Sequence, residues 1–411
     1  MASVLSPIHL KGTTLEGGGQ LLRVALGLSA LTKKPINITS IRGKRHGGGG
    51  LKAQHLTSVQ WLSQASNAQT SGAQLKSKEL TFIPSTLRAP RPKSQTRIQI
   101  PQTTPGSVNL VFQAILPYIL FSGHPSPIPV TISGGTNVSN SPSVEYITQV
   151  LIPMLQLIGI PSIETQLHSR GWSHGTTTLG SVTYTITPLE TTLPAFQLAN
   201  RGDITRITAT ILAPPATELD FRSELAAMFE HLQPPHPLFG TQLPDIEVSF
   251  QDSQHDKRFY LLLVATTSTG VKLGRDWLYN RRVQPNTIPT MVKKVSDELV
   301  AEIQHGGCVD EHLRDQLVVF QALAQGRSKV WGGRTHAGLV DMSLHAQTAK
   351  WVAEEMLGVR FDDEGGCTGV GFCHDDKRVH VHEDEEELVG NMGELHVSTV
   401  FSLRNEAGDY T

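Results

Sequence analysis

Residues 20–41 read QLLRVALGLSALTKKPINITSI, and they contain the unit from which the fold is predicted. Apolar residues recur near helical spacing over 20–32, so this segment is predicted to form a helix. Pro35 ends the helical pattern, and 36–41 then alternates between apolar and polar residues like a half-buried strand. The same order continues downstream, with a helix predicted over 51–65 and a short strand over 80–83.

This order of helix, strand, helix and strand occurs twice more in the chain. The second copy is predicted over 107–121, 129–133, 143–158 and a strand near Ile163. The third copy is predicted over 310–325, 328–331, 343–357 and 359–361. Asp310 is a suitable N-cap for the first helix of the third copy. Gly159 and Gly358 follow the last helix of the second and third copies, where glycine commonly ends a helix. The repetition predicts an α/β body built from three similar units.

Far more chain separates the third copy from the second than separates the first two, so 189–287 is predicted to be a small inserted α/β domain. Its strands are predicted over 204–212, 246–250 and 259–266, and its helix over 221–232. The predicted organisation is 1–188 for the first two repeats, 189–287 for the insertion, 288–375 for the third repeat and 376–411 for an acidic C-terminal segment. The charge run at 383–387 is interpreted as a solvated edge or tail.

Composition excludes several classes of protein. Of the 411 residues, 38% are hydrophobic and 18% are charged, which is typical of a folded chain. The net charge of −2 provides no general basic surface, so any nucleic-acid binding must use a local patch. Three cysteines argue against a disulfide framework and favour a reducing compartment. The longest apolar run, 108–121, is too short to span a membrane. An intracellular protein of the nucleus (nucleoplasm), the cytoplasm or both is expected.

The segment EGGGQ at 16–20 lies directly before the first predicted helix. Glycines let a backbone approach a ligand closely, and a helix start offers free N–H groups to an anion. Glu16 could hold a divalent metal beside phosphates. The segment is also consistent with an ordinary flexible turn, and by itself it does not decide between the two.

Basic residues are concentrated at the end of the first predicted strand. Arg42, Lys44 and Arg45 precede a run of glycines at 47–50. Guanidinium groups can bind phosphate through two parallel hydrogen bonds, so a phosphate site is one interpretation. A solvated basic turn is the other. The pair Gln54–His55, near the start of the next helix, is uninformative when taken alone.

His345 lies in the first turn of the helix predicted over 343–357. A helix N-terminus disfavours the imidazolium and so favours the neutral, nucleophilic ring. It would also attract a phosphate to the same place. On this argument alone, a structural histidine in the core or on the surface is favoured over a catalytic one.

Together, these segments resemble the RNA 3′-terminal phosphate cyclase family. The resemblance spans almost the whole chain and depends on several motifs in order. The motifs are EGGGQLLR at 16–23, IR at 41–42, QHLT at 54–57, GGTN at 134–137, DEHLRDQL at 310–317 and LHAQTA at 344–349. The resemblance implies three βαβαββ-type units, similar to the C-terminal fold of a translation initiation factor, with a small inserted domain.

The resemblance also implies a mechanism and a set of site residues. ATP would transfer AMP to His345, the AMP would pass to an RNA 3′-phosphate, and the neighbouring 2′-hydroxyl would displace it to leave a 2′,3′-cyclic phosphate. The implied metal, Mg²⁺ or Mn²⁺, would be held by Glu16. The implied ATP-binding residues are Gln113, His312, Leu313, Arg314, Asp315 and Gln316. The implied phosphate- and RNA-binding residues are Arg23, Arg42, Arg45, Gln54 and His55.

The chain departs from the family pattern at two loops. An extra glycine replaces a usual proline in the loop at 47–50, and a triple-glycine loop after Arg170–Gly171 is replaced by 173–178. These changes leave open a catalytically weak or inactive cyclase-like RNA-binding protein in rRNA processing. A cyclase-like ribosome-biogenesis factor typically lacks both Glu16 and His345, and an enolpyruvyl transferase would explain neither. The expected partners are ATP and RNA with a 3′-phosphate end, no membrane, and a homodimer is left open.

Overall fold

The structure, a computed structural model, describes residues 6–45, 48–86, 97–230, 239 and 243–374. Internal contacts divide the chain into one unit of residues 1–372 and a second of 373–411, of which only Cys373 and His374 are described. The predicted acidic segment therefore lies outside the described residues. In the first unit, a mixed α/β architecture is confirmed: helices pack together beside several small sheets.

The first sheet has the strand order β1 (Ile8–Lys11), β2 (Ile36–Thr39), β4 (Leu80–Ile83) and β3 (Gln69–Ser71). Helices α1 (Gln20–Thr32) and α2 (Ala53–Ala65) connect these strands. β1 and β2 are parallel, and the other two pairs are antiparallel. Strand β2 ends before the predicted residue 41 because Ser40 and Arg42 adopt left-handed φ angles of 52° and 54°.

The second sheet repeats this order and pairing with β5 (Ile98–Ile100), β6 (Ile128–Gly134), β8 (Gly180–Ile186) and β7 (Ile163–Ser169). Helix α3 (Val108–Leu120) lies within the range predicted, 107–121, and the Ser107 hydroxyl caps it. The helix predicted over 143–158 is divided into α4 (Val144–Tyr146), a π-helical turn (Ile147–Leu151) and α5 (Ile152–Leu157). Pro153 explains the irregularity, because it cannot donate a backbone hydrogen bond to the preceding turn.

The third sheet has the order β17 (Gly366–Val370), β14 (Gln325–Val330) and β9 (Gln197–Leu198). It is accompanied by α8 (Glu311–Leu323) and α9 (Leu344–Leu357). A small hairpin of β15 (Arg334–Thr335) and β16 (Gly338–Leu339) lies between them in sequence. The strand predicted over 359–361 is wrong, since Phe361 makes only an isolated bridge to Cys367. Gly358, in the left-handed conformation, ends α9 as predicted.

A fourth sheet lies within the stretch predicted to be inserted. Its order is β11 (Asp245–Asp252), β10 (Ile204–Ala213), β12 (Tyr260–Thr267) and β13 (Lys272–Leu278). A 3₁₀ turn (Pro215–Thr217) leads into α6 (Glu218–Glu230), which begins earlier than predicted, and α7 (Thr287–Gln304) packs on β12 and β13. Neither β13 nor α7 was predicted.

Helices that accompany different sheets pack on one another. α1 packs against α3 and α9, and α8 packs against α9. Gly27 permits the first of these contacts, because a Cβ there would lie 2.8 Å from the carbonyl oxygen of Ala114 on α3. The N-terminal parts of α1, α2, α3, α8 and α9 line one cavity. Cys308, Cys367 and Cys373 are free thiols, and no helix in the described part of the chain is long and apolar enough to cross a membrane.

Candidate active site

A cavity of about 740 Å³ lies where α1, α2, α3, α8 and α9 meet the loop 137–143 and strand β13. It brings together most of the residues that the sequence predicted as functional. These residues form two groups, which we treat as the two ends of the site. The first contains Glu16, Arg23, Arg42, Arg45, Gln54 and His55, and the second contains Gln113, His312, Asp315 and Gln316. The groups are neighbours, since Arg23 shares a smaller cavity with Gln113, Asp315 and Gln316, and His345 lines the main cavity as well. Residues more than 300 positions apart therefore share one site.

Glu16 is the carboxylate of the first end, which we call the cationic end. Its Oε2 accepts a hydrogen bond of 2.7 Å from the Gly18 amide, and its Oε1 forms an ion pair with Arg45. The backbone amide of Glu16 donates to the Thr348 hydroxyl at 3.1 Å, which ties the glycine-rich segment to α9. The side chain is only 5% exposed, so its charge acts in a partly dehydrated setting.

Arg42 and His55 are buried beside the half-buried Arg23 at the cationic end. Burial lowers the pKa of both arginines, which nevertheless stay charged at physiological pH. Burial, followed by the charges of Arg23, Arg42 and Lys52, lowers the pKa of His55 to about 3, so its ring is neutral. Gly19 allows the close approach, since a Cβ there would lie 2.8 Å from Nε2 of His55. The interpretation of 42–45 as a solvated basic turn fits the exposed Lys44 and Arg45, whereas Arg42 is buried at the cavity.

His345 occupies the second position of α9, whose N-cap Ser343 accepts from the Ala346 amide at 3.2 Å. Its side chain is about half exposed, and its Nδ1 lies 3.9 Å from Oε1 of Glu16. The pKa of His345 is lowered, chiefly by burial and further by Arg23, Arg45 and His312, while Glu16 opposes the shift. The sequence argument expected a neutral ring because of the helix start. The pKa of His345 is indeed lowered, but burial is the first cause of the shift.

The second end, which we call the α8 end, is less cationic. Asp315 is buried, and burial raises its pKa to about 7 although Arg23 acts in the opposite direction. The Oε1 atom of Gln113 is buried without a hydrogen-bond partner among the described residues. The residue lines the cavity, and a ligand that donates a hydrogen bond to this amide oxygen would satisfy it.

Two of the implied ATP-binding residues do not line the cavity. Leu313 is fully buried in the hydrophobic core. Arg314 donates to the Val340 carbonyl at 3.0 Å and lies against Gly332. The reason is helical geometry: of 312–316, only the positions on one face of α8 reach the cavity.

Sequence reasoning missed one wall of the site. Tyr146, Tyr260, Arg275 and Asp276 all line the cavity, and the loop 137–143 completes this wall. Oδ2 of Asp276 accepts hydrogen bonds from the hydroxyls of Ser143 and Tyr260, both at 2.9 Å. These residues carry no local motif, and β13, with the sequence KLGRDWL, lacks the regular alternation that would indicate a strand.

The altered loop at 173–178 does not line the cavity. Trp172 and Thr178 pair across its base, and Arg258 donates to the Thr176 carbonyl at 2.5 Å. Ser173 links it twice to the cavity-lining loop 137–143: its hydroxyl accepts from the Ser139 amide at 3.1 Å, and its own amide donates to the Asn137 carbonyl at 3.2 Å. In the other altered loop, residues 46 and 47 lie outside the described residues.

A neutral histidine, three arginines and a carboxylate around one cavity form a site suited to the transfer of phosphate-containing groups. Comparison with known proteins agrees with this class. Residues 14–362 match the model of the family described as RNA 3′-terminal phosphate cyclase. The chain belongs to this family, which confirms the predicted family and the prediction of an enzyme of this class.

The match to similar proteins extends over nearly their whole length. An RNA 3′-terminal phosphate cyclase of Drosophila melanogaster is 31% identical, over 89% of this chain and 98% of that protein. The protein of the same description from Staphylothermus marinus is 33% identical, over 85% and 92%. That from Pyrococcus furiosus is 32% identical, over 87% and 96%.

Proposed function

We propose that this chain uses ATP to convert an RNA 3′-phosphate end into a 2′,3′-cyclic phosphate, with His345 as the nucleophile that carries AMP. The observation that carries the proposal is the position of His345: a neutral, half-exposed ring at the cavity, 3.9 Å from Glu16 and close to several arginines. Family membership and the names of the similar proteins support the overall reaction. The assignment of individual residues to the steps of this reaction is our proposal.

In the first step, a ring nitrogen of His345 attacks the α-phosphorus of ATP, and the bond from that phosphorus to the bridging oxygen breaks to release pyrophosphate. The nearby Glu16 carboxylate favours the tautomer with its proton on Nδ1, which leaves the Nε2 lone pair free to attack. Because the pKa of His345 is lowered, the ring stays neutral without an added base. The product is a covalent histidine–AMP.

In the second step, an oxygen of the RNA 3′-phosphate attacks the same phosphorus, and the bond to His345 breaks. In the third step, the 2′-hydroxyl oxygen attacks the RNA phosphate, AMP leaves, and the hydroxyl proton is lost to solvent. The cationic end supplies the charge that these steps need, through Arg23, Arg42 and Arg45. The last step is intramolecular, so it requires mainly orientation.

The cationic end offers one carboxylate, Glu16, to a divalent cation such as Mg²⁺ or Mn²⁺. Within the described residues, no group of three or more histidine, cysteine, aspartate or glutamate side chains could hold a metal. Glu16 offers one carboxylate, and Mg²⁺ is commonly bound by one or two carboxylates together with substrate phosphates. Glu16 would hold such an ion when it arrives with ATP, and the bound ion would neutralise phosphate charge.

The α8 end would take the adenosine part of ATP. Gln113, His312, Asp315 and Gln316 line it, and the unsatisfied Oε1 of Gln113 is an acceptor for an amino group or hydroxyl. The alternative, a weak or inactive RNA-binding relative, depended on the loop at 173–178. Since that loop does not line the cavity, it gives the alternative no support at the site of chemistry.

We also infer that the first three sheets are three copies of one unit and that the fourth belongs to an insertion. The identical strand order and pairing of the first two sheets support the repeat. An intracellular location, nuclear or cytoplasmic, and a homodimer stay predictions.

The proposed reaction is tested with three RNA ends incubated with ATP and Mg²⁺. An end with a 3′-phosphate and a free 2′-hydroxyl should become a cyclic phosphate, and a 3′-hydroxyl end should not react. A 2′-deoxy 3′-phosphate end should stop as the adenylated strand, since only the last step uses the 2′-hydroxyl. Thin-layer separation of labelled products distinguishes these results. Normal labelling of His345 with no cyclic product from any end would contradict the proposal and favour the inactive relative.

A further inference from the structure

Arg275 lies on β13, at the wall of the cavity that sequence analysis missed. Its side chain is 13% exposed and reaches across to the start of α8. It forms an ion pair with the buried Glu302 and a second, at 2.9 Å, with Glu311. Glu302 also accepts from the Glu311 amide at 3.1 Å, so the guanidinium joins β13, α7 and the first turn of α8.

The same guanidinium has a third neighbour, the ring of His312. Nη1 of Arg275 lies 3.3 Å from Nε2 of His312. A guanidinium has only donors, so Nε2 must be the acceptor nitrogen and the neutral ring must carry its proton on Nδ1. The ring is also edge-on to Tyr146, with centroids 6.1 Å apart. Both the rotation and the tautomer of His312 are thereby fixed, although the residue is exposed to the cavity.

From this arrangement we propose that Arg275 is a positioning residue for nucleotide binding, which acts by holding His312 in one orientation with its Nδ1–H donor available to the nucleotide. This inference rests on the proposed function, because it assumes that the α8 end receives the nucleoside of a nucleoside triphosphate. Arg275 would affect how tightly the nucleotide binds. It would not affect the transfer step, because it has no described hydrogen bond or ion pair to His345 or to the cationic end.

A purely structural role for Arg275 makes a different prediction. In that case Glu302 and Glu311 are the partners that matter, and any variant that keeps a positive charge beside them preserves the function. Arg275→Lys separates the two roles. The lysine ammonium can neutralise Glu302, but a single compact group cannot span two carboxylates and a ring nitrogen as a planar guanidinium does.

The test measures binding of labelled ATP by equilibrium dialysis in the His345→Ala background, where no covalent product can form. Single variants Arg275→Lys and His312→Phe are compared with the double variant. Each single variant should raise the dissociation constant about fivefold to tenfold, the effect of one hydrogen bond. The double variant should be no weaker than His312→Phe, because the two residues act as one unit. Lys293→Met, which breaks the exposed pair with Asp297, is the control and should not change binding.

A second readout uses His345-containing protein and α-labelled ATP. At saturating ATP, Arg275→Lys should label within about twofold of the parent rate, while half-saturation moves to higher ATP. Unchanged binding in Arg275→Lys, or a double variant whose effect is the sum of the two single effects, would overturn the proposal. If Arg275→Lys does not fold, Arg275→Met combined with Glu302→Gln removes the buried charge together with its partner. The test is then whether adding His312→Phe weakens ATP binding further: no further loss is expected, and an additive loss would overturn the proposal. ATP binding without labelling of the parent would count against the proposed function alone, and absence of ATP binding would overturn both.

Discussion

The two ends of the cavity are built in different ways. The cationic end is assembled mainly from one stretch of chain, 16–55, where Arg45 is paired with Glu16 and Arg23 also interacts electrostatically with Asp315. The α8 end draws its wall from β13, α7 and α8, and there Arg275 is paired with both Glu302 and Glu311. An excess of cations suits a ligand that brings negative charge, whereas a network of carboxylates around one guanidinium suits the fixed orientation of a neutral ligand group. The difference indicates that phosphates and nucleoside are handled by separate chemistry.

The largest expected effect lies between the two ends, at His345. His345→Ala should reduce protein labelling from α-labelled ATP to background, because no other group would form the phosphorus–nitrogen bond. His336→Ala, at an exposed turn of the β15–β16 hairpin, should label like the parent. The measurement is acid-labile radioactivity on the protein after gel separation. Equal labelling of His345→Ala and the parent would show that the nucleophile is elsewhere.

A smaller effect concerns how the cationic end tunes His345 with pH. The lowered pKa of His345 means that the neutral, reactive ring persists below pH 6.5, the ordinary value, and is lost only on further acidification. Arg45 lowers this pKa and Glu16 raises it. Arg45→Met should therefore move the titration of His345 to higher pH, and Glu16→Gln should move it to lower pH.

Both shifts are measurable by NMR titration of the imidazole, which does not depend on turnover. Arg45→Met and Glu16→Gln remove opposite charges from one ion pair, so each variant is the control for the other. A shift in the same direction for both would mean that local unfolding, and not charge, determines the titration. No shift in either would separate His345 from the cationic end.

The residues of the cationic end were expected from the sequence through the family resemblance, because each local signal by itself left an ordinary turn or a structural residue open. Glycines before a helix and arginines after a strand are both typical of phosphate sites, and each signal lies within a few residues, as near Glu16 and Arg45. Helix ends are also set by local signals, since the N-cap Asp310 and the stop at Gly358 act within one turn. The roles of individual residues within a motif are harder to predict. Leu313 and Arg314 belong to the same motif as His312, but neither lines the cavity.

The wall at β13 could not be predicted because its role is set by tertiary contacts. Asp276 and Arg275 acquire partners from segments more than 25 positions away in sequence, such as Ser143 and Glu302. No local pattern encodes such pairing. The π-helical turn is similar, since a continuous helix over 143–158 satisfies the apolar spacing and only Pro153 opposes it.

The smallest expected effect tests whether the α8 end is a rigid scaffold. Tyr146 donates to Oδ1 of Asp310 at 2.6 Å, and Asp310 caps α8 by accepting from the amides of His312 and Leu313. Its Oδ2 also accepts from the Gly274 amide at 2.8 Å, which joins α8 to β13. Tyr146→Phe removes one of these four bonds and leaves the ring in place. We expect a loss of about 1 kcal/mol in the free energy of unfolding, measured by denaturant titration.

Tyr118→Phe is the matched control for this prediction. The Tyr118 hydroxyl donates to the Ala65 carbonyl, also at 2.6 Å, and its ring is edge-on to Trp61, so the variant should lose a similar stability of about 1 kcal/mol. Tyr118 does not line the cavity, whereas Tyr146 does. Only Tyr146→Phe should therefore weaken ATP binding, by about twofold to fivefold, because loosening the cap lets the cavity face of α8 move. Equal weakening in both variants would mean that ATP binding follows global stability, and the α8 end would then have no special rigidity to contribute.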